Sequence, residues 1–173
     1  MTGKPNRDPA RAATWLAVLA AITVLAGAGA VWSALRAEAV REGNAAIADE
    51  AATAEVSRQV GESVKAIFSY SFRDLGRTER AARGALVDAA VEQYRSRFAE
   101  ASKQALRQRL VRSTTVRAVG VRSLSPDRAH LLVFVDQQTI ADDGRPRGST
   151  SACLDVVARK VDGVWKLSQL AAV

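Results

Sequence analysis

The sequence predicts an α+β fold: an N-terminal transmembrane helix, then helices packed on a curved four-stranded antiparallel sheet. Three observations carry this expectation. Residues 12–35 form one apolar run without a charged side chain. Two later stretches place their large apolar residues at helical spacing. The last third of the chain breaks into β-rich runs separated by turn residues, and helices followed by a meander is the order of an α+β domain.

The apolar run has 24 residues (AATWLAVLAAITVLAGAGAVWSAL). As a helix it would reach about 36 Å, against a hydrocarbon core of roughly 30 Å. The residues expected to anchor it are Trp15, Leu16, Val18, Leu19, Ile22, Val24, Leu25, Val31, Trp32 and Leu35. The two tryptophans lie near its ends, where amphipathic rings favour the membrane–water boundary. Lys4, Arg7 and Arg11 precede it with only Asp8 opposing. The positive-inside bias then keeps residues 1–11 in the cytoplasm and exports everything from Arg36 onward. The expected location is the plasma membrane, crossed once. A cleaved secretory signal peptide is the rival reading, since Ala28-Gly29-Ala30 has the small-x-small pattern of a cleavage site. The run is longer than a usual signal core and continues through Val31-Trp32, which favours the retained anchor. A buried core helix would need a polar face that this run lacks.

Residues 36–60 are alanine-rich and charged, with high helix propensity, and are expected to form a solvated helical stalk. Val40, Ile47 and Ala54 recur every seven residues, so a coiled-coil homo-oligomer is the alternative, although alanine makes a poor seam. The exported domain is placed at 61–173. Val56, Val60, Val64, Ile67 and Phe68 form an amphipathic helix face. Ser69-Tyr70-Ser71-Phe72 loses that period, and Gly76 marks a turn. A helix or helix pair follows from about Thr78 to Leu110, with Val87, Val91, Tyr94, Phe98, Ala101 and Ala105 at helical spacing and Gly84 weakening its start.

Four strands are expected after Leu110. Thr114 to Leu124 is the first, and Ser125-Pro126-Asp127 turns the chain. Arg128 to Ile140 follows, apolar on both faces from Leu131 to Val135 as in a central strand. Asp142 to Gly148 is a polar loop. Ser149 to Val161 and Val164 to Leu170 are joined by Asp162-Gly163, the strongest hairpin signal in the chain.

Several of these pieces, taken in order, carry a resemblance. They are the basic N-terminus with one anchor, Phe68-Ser69-Tyr70-Ser71-Phe72, Tyr94 with Phe98, and Val119-Gly120-Val121. Asp127-Arg128-Ala129 follows, leading into Leu132-Val133-Phe134-Val135-Asp136-Gln137, and the series ends in Val161-Asp162-Gly163-Val164-Trp165-Lys166-Leu167. The arrangement is similar to the nuclear-transport-factor-2-like cone, in which N-terminal helices lie across a strongly bent sheet. More narrowly, it resembles the actinobacterial Mce-associated membrane proteins. Ser71 departs from the acidic residue expected there in many relatives. The resemblance implies a non-enzymatic accessory subunit of an Mce-type lipid import system, with extracytoplasmic Mce proteins or the permease as partners. Related cone domains serve as assembly subunits of secretion and conjugation channels, which is the alternative reading. An anchored lipid-binding or isomerase-like cone enzyme is the third.

The residues themselves give little support to catalysis. There is no G-x-S-x-G, H-E-x-x-H or phosphate-loop motif, and no cofactor is expected. The polar candidates are His130, Asp136, Asp155, Tyr70 and Tyr94. His130 and Asp136 share a strand face but stand about 20 Å apart at roughly 3.3 Å per residue, too far for a dyad. Asp155 could reach either from a neighbouring strand. Tyr70, Phe72, Tyr94 and Phe98 are expected to link helices to sheet. Cys153 is the only cysteine, which excludes an internal disulfide and leaves a small buried strand residue or an intermolecular bridge.

Charge is the more unusual feature. The chain carries a formal +7. Between Arg95 and Arg128 there are nine basic residues opposed only by Glu100 and Asp127. Export argues against nucleic acid as the partner. A solvated face is the plain reading, and docking of Lys103, Arg107, Arg109 and Arg112 on anionic lipid or an acidic protein is the functional one.

Overall fold

Helix α1 (Glu50–Phe68) begins where Asp49 supplies a cap, its carboxylate accepting from the Ala52 N–H at 2.8 Å. Such a cap satisfies one of the amide groups left open at a helix start. The computed structural model describes residues 49–173. The anchor, 12–35, and the stalk as far as Ala48 lie outside the described residues. Among the described residues, no helix is long and apolar enough to cross a membrane. Val56, Val60 and Val64 are fully buried and Ile67 nearly so, one stripe at helical spacing. The domain start expected at 61 falls inside this helix, whose packing against the core already begins at Ala52 and Val56.

The tetrapeptide that breaks the helical period becomes a fifth strand. Strand β1 (Tyr70–Ser71) pairs Tyr70 with Arg112 and Ser71 with Val111. The expected four-stranded sheet is thus corrected to five, since a two-residue strand is too short to show alternation. Gly76 does not mark the turn. Asp74 does, accepting from the Arg77 N–H at 2.9 Å to start α2 (Leu75–Ala85). The expected helix pair is present. Leu86 bridges to Leu167, Asp88 takes φ 53°, and α3 (Ala89–Gln108) follows in a new direction.

Four long strands complete the sheet: β2 (Leu110–Leu124), β3 (Arg128–Ala141), β4 (Pro146–Val161) and β5 (Val164–Ala172). The order β1-β2-β3-β4-β5 is antiparallel throughout, as a meander requires. Register shifts at Val116/Ala118, Val121/Ser123, Thr139/Ile140 and Val157/Ala158 each add local twist, which curls the sheet. The helices pack on its concave face, where Leu131, Val133, Val156, Ala158 and Leu167 are fully buried. β3 alternates accordingly, with His130, Leu132, Phe134 and Asp136 on the outer face.

The far end of α1 is held by hydroxyls from three other elements. Tyr94 of α3 donates to the Ile67 carbonyl at 2.9 Å. Thr114 of β2 donates to the Phe68 carbonyl at 2.9 Å, and its own N–H reaches the Ser69 hydroxyl at 3.1 Å. Thr78 of α2 donates to the Ser69 carbonyl at 2.9 Å. Thr114 and Thr78 are buried, so each hydroxyl needs a partner and finds it in a carbonyl at the helix end that has none within the helix.

The last hairpin follows its sequence signal. Asp162 and Gly163 have φ of 51° and 79°, the doubly positive pattern of a type I′ turn, and Val161 pairs with Val164. Trp165 beyond it is buried, and its backbone N–H donates to the Gln59 side-chain carbonyl of α1 at 2.8 Å. Gly163→Val should therefore cost about 1–3 kcal/mol, because a β-branched residue resists positive φ. Thermal unfolding measures this, and an unchanged midpoint would contradict the turn.

Candidate functional site

The curl of the sheet leaves a cleft of about 240 Å³ beneath α3. One face of α3 supplies Gln93, Tyr94, Arg97, Phe98 and Ala101; the sheet supplies Arg112, Val135, Gln137, Ala152, Leu154 and Leu170. Ile67, Phe68 and Tyr70 close the end where α1 meets β1. The aromatic walls brace one another. Tyr94 and Phe98 stack with centroids 5.2 Å apart, while Phe68 meets Tyr94 and Tyr70 meets Phe98 edge to face. These rings link helices to sheet, as expected of them. Behind the Tyr94–Phe98 stack, a wider groove of about 620 Å³ separates α2 from α3.

The polar groups of the cleft are few. Burial, with a lesser push from Glu79, raises the Tyr94 phenol above its usual range. Its proton is thus retained and spent on the Ile67 carbonyl. Gln93 accepts from the Leu170 N–H at 2.9 Å, and Gln137 donates to the Thr114 hydroxyl at 3.4 Å. Arg112 lies over the Tyr70 ring at 5.2 Å and donates through Nε to Thr139 at 3.1 Å. Among the described residues, no group of three or more His, Cys, Asp or Glu is placed to hold a metal ion.

His130, Asp136 and Asp155 all lie on the outer sheet face, away from this cleft. Asp136 pairs with Arg117 at 2.9 Å and accepts from Ser151 at 2.6 Å. Asp155 pairs with Arg122 at 3.8 Å and sits across from Leu132. His130 sits across from Val157, so the register brings it to neither carboxylate. Cys153 is half-buried on the same outer face, opposite Phe134.

The four basic candidates do not form one patch. Lys103 on α3 pairs with Glu100 at 3.0 Å. Arg107, in the last turn of α3, makes no ion pair among the described residues. Arg109 ends α3 in the left-handed conformation, stacks 5.0 Å over Phe72, and pairs with Asp142. Arg73 stacks on Phe72 too, at 5.3 Å, and shares the same carboxylate. Arg109, though exposed, is tied to Asp142 and Phe72, and Arg112 is tied to Tyr70 and Thr139. Arg97, read only as part of the basic stretch, lines the cleft together with Arg112; its place beside Phe98 on the Tyr94 face was the available signal.

The fold is shared with solved structures of low sequence similarity. The periplasmic domain of DotI superposes with a TM-score of 0.59 at 13% identity, over 68% of this chain and 92% of that one. A periplasmic fragment of TraM gives 0.58 at 9% identity, over 66% and 92%. An IcmL-like type IV secretion system protein from Legionella pneumophila gives 0.56 at 9%, over 69% and 91%. No protein-family model matches the sequence, and no curated protein matches it. The class defined is an α+β domain with a curled antiparallel sheet and helices on its concave side.

Asp142 gives a pH test of the Arg73–Phe72–Arg109 cluster. Hydrogen bonds from Arg109 and then Arg73 hold its carboxyl below the usual range. A carboxylate with a depressed folded pKa adds stability above its unfolded value and loses it as pH falls through the folded one. Asp142→Asn should therefore melt lower than the native chain at pH 7, the gap narrowing below about pH 4. A gap independent of pH would contradict the pairing.

Proposed function

We propose that this chain is a non-enzymatic, membrane-anchored subunit of a cell-envelope complex, its α+β domain lying outside the cytoplasm. A scaffold role in a secretion or conjugation channel is the reading best supported. The observation that carries it is the fold shared along more than nine-tenths of the DotI, TraM and IcmL-like domains, whose names tie them to the periplasm or to type IV secretion. The site chemistry agrees. His130 and the two carboxylates are dispersed over the outer face, with each carboxylate tied to an arginine, and the cleft tyrosine is a spent donor. Arg107, exposed in the last turn of α3 and in no ion pair among the described residues, remains available to an acidic partner or anionic headgroups. A second reading, an accessory subunit of an Mce-type importer, rests on the ordered sequence pieces from Phe68 to Leu167.

Crosslinking in native membranes followed by identification of the captured proteins separates the two. Channel subunits or their ATPase support the first reading, whereas Mce proteins and a permease move the chain to the second. In the same cells, His130→Ala, Asp136→Ala and Asp155→Ala should each leave function largely intact when the protein accumulates normally. Complete loss at normal abundance from any one of them would contradict a non-enzymatic role.

A further inference from the structure

We infer that the cleft beneath α3 binds a single alkyl chain of about eight carbons ending in an anion. The chain would lie between Phe98, Leu154 and Leu170, and the anion between Arg97 and Arg112. The volume sets the length: about 240 Å³ holds roughly eight water-sized groups at ~30 Å³ each. The walls set the body of the ligand, because they are aromatic and aliphatic along most of their length.

The two guanidinium groups set its head. On α3, Arg95 pairs with Glu92 and Lys103 with Glu100, each three residues back. Three residues back from Arg97 stands Tyr94, and Glu100 ahead of it is already engaged. Arg97 therefore has no carboxylate among the described residues, although it lines the cleft. Across from it, Arg112 is fixed by the Tyr70 ring and by its Nε bond to Thr139, which leaves its two terminal amino groups for an acceptor. A pre-oriented guanidinium lining the same cleft as a second one suits a carboxylate or phosphate. Gln93 adds a further donor, since its carbonyl is spent on Leu170 and its amide NH₂ is not.

The test uses the full chain in nanodiscs of zwitterionic lipid and an octanoate carrying a terminal photoreactive diazirine. Peptide mapping should place the label on residues 93–101 and 152–154. Octanoate and octyl phosphate should compete for it, and octylammonium should not. Arg97→Gln should weaken labelling by at least about tenfold, the loss expected for one charge-assisted contact, without changing the melting temperature. Ala101→Trp should abolish labelling by filling the cleft. Stronger competition by octanoate assigns a free fatty acid, and stronger competition by octyl phosphate a phosphate-headed lipid. Labelling spread over the surface, equal competition by octylammonium, or unchanged labelling in Arg97→Gln would overturn the proposal. None of these outcomes depends on which proteins the domain contacts.

Discussion

The carboxyl end of α1 leaves its last carbonyl oxygens without partners in their own helix, and the rest of the domain is arranged around supplying them. Tyr94, Thr114 and Thr78 come from α3, β2 and α2 and donate to three consecutive residues, Ile67, Phe68 and Ser69. A buried carbonyl left unpaired costs about 1–3 kcal/mol. Three such donors at one point therefore fix the position of both later helices relative to the sheet. The apolar stripe of α1 supplies burial, but it does not set this geometry; a valine stripe slides more readily than a hydroxyl does.

The cleft is a consequence of that junction. Tyr94 is held at the end of α1, so α3 leaves the sheet at an angle set there, with Phe98 and Ala101 carried above β3 and β4. Bulges in β2, β4 and β5 curl the sheet beneath it. A flat sheet would bring Val135 and Leu154 against α3 and close the space. The arginines at the cleft belong to the same construction. Arg112 follows directly from the pairing of Tyr70 with its own backbone position in the two-residue strand.

Most of the fold was legible in the sequence. The valine spacing of α1, the helix pair, the long strands and the Asp162-Gly163 hairpin all carry local signals, and each appears within a few residues of its expected place. What was not legible depends on tertiary contact. β1 is two residues long and exists only because β2 runs beside it. The strand β2 begins at Leu110 rather than Thr114 because the left-handed Arg109 ends α3 abruptly. Gly76 suggested a turn that Asp74 makes instead. The cleft was the least visible feature. Arg97 and Arg112 are fifteen residues apart and were read with seven other basic residues as one charged stretch; only the fold separates the arginines that line a cavity from those paired on the surface.

The central claim is that the end of α1 acts as one junction rather than as three independent contacts. A double-mutant cycle of Tyr94→Phe and Thr114→Val, read by denaturant unfolding, tests this directly, since both changes keep shape while removing one hydroxyl. The account predicts that the two losses are coupled, with an interaction energy above about 0.5 kcal/mol, because freeing either carbonyl lets the helix end shift away from the other donor. Losses that simply add, within about 0.3 kcal/mol, would show two separate bonds and contradict the account.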